Sequence, residues 1–160
     1  GENPVCTMSN ITLRRGEFER TAGFDTAMVH NEDLDWLIRL VGLGARVVGV
    51  DLLHTWYRTS PRGLSTDLDA MLAGRARAVE TAASFGVRPS NKSHAIHHRY
   101  LARRALRTAD SRTAPLRHAL SGLTRSPAGF LLPARRGVPT FLGALAALML
   151  PRAFRQSLFS

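Results

Sequence analysis

At 160 residues the chain is long enough to bury a core, and its formal net charge of +10 is carried almost wholly by arginine, Lys92 being its only lysine. Cys6 is single, which excludes an internal disulfide or a cysteine-based metal knot and fits a reducing, cytosolic location. There is no phosphate-binding glycine loop, no Gly-x-Ser-x-Gly elbow and no Cys-x-x-Cys pair, so P-loop and hydrolase chemistry lose their usual support.

The chain opens Gly1-Glu2-Asn3-Pro4, with no initiator methionine, basic leader or apolar signal segment, and is expected to be a piece of a longer protein. Val5 to Leu13 is partly β-branched and reads as a strand entering a turn at Arg14 and Arg15. Gly16 to Arg20 predicts a brief helix. Thr21-Ala22-Gly23-Phe24-Asp25 predicts a turn, with Gly23 supplying backbone freedom and Phe24 a core anchor. Asn31 is positioned to cap a helix from Glu32 to Val41, whose first turn holds Glu32, Asp33 and Asp35. Leu34, Leu37, Ile38 and Val41 mark its buried face. Gly42 and Gly44 end it. Ala45 to Val50 is a near-continuous apolar run suited to a buried strand, and Leu52 to Arg58 reads as a second extended piece before Pro61 and Gly63.

Ser65 or Thr66 is placed to cap a longer helix running to about Phe85 and closed by Gly86. Pro89-Ser90-Asn91 marks a boundary, dividing the chain into residues 1–88 and a basic, mainly helical extension over residues 89–160. There, His94 to Arg107 reads as a basic surface helix and Ala114 to Leu123 as a shorter one. The extension holds eleven arginines from Arg99 onward, with Asp110 the only acid. Such a balance implies an anionic partner, a phospholipid surface or nucleic acid. The apolar run from Val138 to Leu150 falls short of the roughly 20 residues that cross a hydrocarbon core, so a buried or interfacial helix is expected. Arg135, Arg136, Arg152 and Arg155 flank it and are placed to reach lipid phosphates.

Asp33 is the first candidate for chemistry. A carboxylate at a helix mouth can take a proton from a hydroxyl nucleophile, and Glu32 can orient that site; the competing reading is that both acids only cap the helix. Arg58, after Trp56 and Tyr57, can grip a diphosphate with paired N–H donors, and Trp56 offers a flat face to a sugar ring or base; the alternative is a core Trp beside a solvated Arg. His54 shares the alternation of Trp56 and Arg58. Asp33-Leu34-Asp35 and Asp67-Leu68-Asp69 fall at helix starts, where neighbouring carboxylates need not converge on one ion. His94, His97 and His98 lack an acid or cysteine to complete a zinc set.

The run Ser9-Asn10-Ile11-Thr12-Leu13-Arg14-Arg15, then Phe18 to Asp25, then Glu32 to Leu40 with Gly44, then Tyr57-Arg58, resembles the carboxyl-side part of the catalytic domain of family 2 glycosyltransferases, over about residues 3 to 86. The resemblance implies an α/β fold: the carboxyl-side part of a GT-A, Rossmann-like domain. It implies an inverting enzyme in which Asp33, with Glu32 beside it, is the catalytic base, Arg58 closes over the donor's phosphates and Asn10 lies near the acceptor and donor sugar; Trp36 and Trp56 join them as substrate-binding candidates. The implied substrates are a nucleoside-diphosphate sugar and a hydroxyl of a glycan or lipid-linked acceptor. A divalent metal, Mg or Mn, is implied for the complete enzyme, its main ligand and the nucleotide-binding half lying upstream of this chain. The histidine that often follows the family's Tyr-Arg element is replaced here by Thr59-Ser60-Pro61-Arg62. With the basic extension, these features predict a protein of cell-wall or polysaccharide biosynthesis held peripherally at the inner face of the membrane. Two alternatives stand beside it. One is a non-catalytic nucleic-acid-binding module, disfavoured by the scarcity of aromatics among the arginines. The other is a glycosyltransferase remnant with an assembly role.

Overall fold

The computed structural model describes residues 8–52, 67–108 and 111–159. Their regular structure is entirely helical: a 3-10 turn Met8–Asn10, then α1 Arg15–Arg20, α2 Glu32–Gly42, α3 Leu68–Ser84, α4 Asn91–Thr108, α5 Ala114–Arg125, α6 Pro127–Leu131, α7 Ala134–Met149 and α8 Arg152–Phe159. This corrects the expected α/β architecture. No strand occurs among the described residues, so they do not form a GT-A, Rossmann-like domain. The physical reason is visible at the run expected to be a buried strand. Ala45 to Val50 lies without regular structure, and Val47, Val48 and Val50 are exposed. A strand is stable only when a neighbour completes its ladder and covers its faces, and no extended partner runs beside it among the described residues. Likewise the segment expected to be a strand before Arg14 holds the 3-10 turn instead. Most of the second extended piece lies outside the described residues.

The structure divides into two compact units, drawn from Asn3–Arg88 and from Pro89–Ser160. In the first, Trp36, Leu37 and Leu40 of α2 form a core with Met8, Ile11, Phe18 and Ala45. Phe18, Phe24 and Trp36 meet edge to face or tilted at 5.3 to 5.8 Å, geometries that suit the quadrupoles of aromatic rings. Helix α3 packs against α2. Its inward residues, Gly74, Ala78 and Ala82, recur every four positions and are small. A Cβ added at Gly74 would collide with the carbonyl of His30, so only glycine admits this close approach. Asp67 caps α3, its Oδ1 accepting from the Ala70 N–H at 2.9 Å, whereas the residues expected to cap it, Ser65 and Thr66, lie outside the described residues.

In the second unit α4 is central and touches α5, α6, α7 and α8. The core is alanine-rich, Ala95, Ala102, Ala119 and Ala144 around Phe130, which lets the helices approach closely. Ser90 Oγ accepts from the Ser93 N–H at the start of α4, and Ser126 Oγ from the Gly129 N–H at the start of α6. Helix α4 is no plain surface helix: His97, His98 and Arg99 are buried, and the ring of His98 lies 5.9 Å from that of His118. Arg99 donates to the carbonyls of Gly129, Phe130 and Leu132, serving the open C-terminal end of α6. Arg155, expected to reach lipid phosphates, is buried and donates to the Ser111 carbonyl at 2.8 Å. No helix among the described residues is long and apolar enough to cross a membrane.

Candidate functional site

Helix α2 begins at Glu32, where the chain leaves a loop pinned from α3. Arg77 pairs with Asp25 at 2.9 Å and donates to the Ala27 carbonyl at 3.1 Å. Asn31 stands at the N-cap position with a left-handed backbone, φ 59°, but its side chain makes no cap. Its Nδ2 instead donates to the Met71 carbonyl at 2.9 Å, tying the helix start to α3. The expected Asn31 cap is thus replaced by a brace between elements.

Three acids follow within four positions, and they divide in role. Asp35 is buried, 4% exposed, pairs with Arg39 at 2.9 Å and accepts from the Thr81 hydroxyl at 2.5 Å. Arg39 in turn donates to the carbonyls of Thr21 and Gly23, so Asp35 is the hub of a network that joins α2, α3 and the preceding turn. Glu32 and Asp33 are half-buried. Asp33 Oδ1 accepts from the Leu34 N–H at 2.7 Å, which uses one carboxylate oxygen and orients the other away from it. No ion pair engages Glu32 or Asp33 among the described residues. Helix-start N–H groups and the dipole stabilise such carboxylates without neutralising them. On the facing helix, the guanidinium of Arg75 has its pKa lowered by burial.

The other expected site residues do not converge here. Trp36 is fully enclosed, its Nε1–H donating to Thr21 Oγ1 at 2.7 Å, so its ring serves the core and presents no face to a substrate. Asn10 is exposed at the end of the 3-10 turn. Trp56 and Arg58, with His54 and Tyr57, lie outside the described residues. The donors present do not fit a divalent metal. Asp35 is committed to Arg39 and Thr81, Asp67 caps α3, and no group of three His, Cys, Asp or Glu side chains converges among the described residues. Sequence reasoning missed the partners of Asp35: the Arg39 spacing of four on a helix was a readable signal, whereas Thr81, 46 residues away, had none.

Comparison with protein-family models, with curated proteins and with solved structures gave no match.

Proposed function

We propose that this chain is part of a nucleotide-sugar-dependent, inverting glycosyltransferase, with Asp33 as its base and Glu32 beside it. One observation carries the choice of residues. Of the three clustered acids, Asp35 is consumed by structure, while among the described residues Asp33 accepts from one N–H, through one of its two oxygens. In the proposed step Asp33 takes the proton of an acceptor hydroxyl as that oxygen attacks the anomeric carbon. The bond from that carbon to the diphosphate breaks, and the nucleoside diphosphate leaves with the bonding pair. Asn10 and the segment carrying Trp56 and Arg58 belong to the substrate side of this proposal. The acceptor is a glycan or a lipid-linked glycan, and the basic extension favours an anionic membrane surface as the place of work.

The test is nucleoside diphosphate release by the full-length natural protein, offered a panel of uridine, guanosine and thymidine diphosphate sugars with lipid-linked acceptors. Acceptor-dependent release from one donor is expected. Consumption of none, together with salt-sensitive DNA or RNA binding indifferent to the acids, would replace this proposal with the nucleic-acid-binding module.

A further inference from the structure

Helix α7 is amphipathic the wrong way round. Its buried positions are Gly137, Thr140, Gly143, Ala144 and Ala147, four of them no larger than alanine. Its large apolar residues are the exposed ones: Val138, Leu142, Leu145, Leu148 and Met149, Leu142 by 57% and Met149 by 87%. In water the larger side chains gain most from burial, so a helix shaped for water alone puts leucine inside and alanine outside. Close packing accounts for the inner face. A Cβ added at Gly137 would collide with the backbone of Leu131 at the end of α6, so only glycine lets α7 lie this near. The outer face has no such reason within the fold.

Single exposed apolar residues are ordinary, whereas a continuous stripe is not. Val138, Leu142, Leu145 and Met149 follow one another at spacings of four, three and four, which sets them in one line along α7. Between Arg136 and Arg152 the sequence holds no charged residue. Helix α8 adds Phe154 and Leu158, one turn apart and exposed, while Arg155 between them is buried and anchored on the Ser111 carbonyl at 2.8 Å. That anchor fixes which side of α8 is turned outward.

A partner for this face has to be apolar and negatively charged at once. Residues 89–160 carry twelve cationic side chains against one acid, a formal charge of +11. A second copy would bring the same charge and be repelled, and nucleic acid offers phosphates without an apolar phase. An anionic bilayer presents both, acyl chains beneath a layer of phosphates. The outer face of a single helix is also a ridge, which a fluid boundary fits without a preformed groove.

We propose that α7 lies in the headgroup boundary of an anionic membrane, with Val138, Leu142, Leu145 and Met149 immersed among the acyl chains and the positive charge of residues 89–160 drawing it there. This rests on the membrane part of the proposed function and deepens it by naming the face that makes the contact, and its readout is independent of glycosyl transfer.

The test is flotation of the full chain with phosphatidylcholine vesicles containing phosphatidylglycerol, against phosphatidylcholine alone, at low salt. Binding to the first and not the second is expected. Leu142→Ser with Leu145→Ser is expected to weaken it roughly thirtyfold with the melting temperature held, since both residues are exposed. Val47→Ser with Val50→Ser, exposed apolar residues of the other unit, leaves it unchanged. Depth is read from Leu145→Trp, whose fluorescence is expected to be quenched by brominated acyl chains well beyond that of the parent. Undiminished flotation of the Leu142→Ser, Leu145→Ser chain, or no added quenching at position 145, would overturn the stripe in favour of diffuse charge. Failure of the parent to float, with self-association in sedimentation, would assign the face to a second copy and overturn the membrane. Turnover of a sugar donor by the full-length natural protein without flotation would leave the enzyme proposal standing and remove this one.

Discussion

Replacing Asp35 with asparagine removes the charge that holds Arg39 beneath the turn at Thr21 and Gly23. Because the pair is largely out of water, the change is expected to lower stability by on the order of 3 kcal/mol, measured by urea unfolding. Asp33→Asn is expected to stay within about 1 kcal/mol of the parent, since it risks one N–H bond and a helix-dipole interaction at a half-exposed site. Thr21→Val is a third case. It keeps the shape but leaves the Trp36 indole N–H buried without its acceptor, for a loss of about 1–3 kcal/mol in the same experiment.

Among the elements, α3 governs the start of α2 through a single missing side chain. Gly74→Ala would drive a methyl group into the His30 carbonyl and is expected to cost about 1–3 kcal/mol, with hydrogen exchange rising first at residues 30–35. Periodicity and punctuation made much of the helical layout legible. Leu37 faces the core as its spacing requires and Gly86 ends α3 with φ 77°, but Val41, expected on the same buried face, is exposed, and Trp36 and Leu40 fill the core instead. Helices α6 and α8 are too short to carry a clear period in the sequence, although Ser126-Pro127 is a readable start. The apolar run at Val47, Val48 and Val50 had the composition of a strand, but a sheet is a property of neighbours, which composition alone does not supply. At the candidate site, the acids could be read from the sequence and their division of labour could not. Asp35 and Asp33 look alike until Thr81 and Arg39 are seen to close on one of them.

For the molecule as a whole, charge is distributed against stability in one place. Residues 89–160 carry eleven arginines and Lys92 against Asp110 alone. Self-repulsion of this kind is relieved by screening and by bound anions. Millimolar pyrophosphate is therefore expected to raise the melting temperature of the chain by more than chloride at equal ionic strength, as read by calorimetry. An equal effect of the two salts would mean screening alone. The enzyme proposal stands or falls elsewhere, at α2. The most direct measurement is kcat for nucleoside diphosphate release by Asp33→Asn in the full-length natural protein, beside its KM for the sugar donor and its melting temperature. A fall in kcat of about 10²-fold or more, with KM and melting temperature held, is the predicted result. Turnover at the parent rate by a folded Asp33→Asn protein would contradict it.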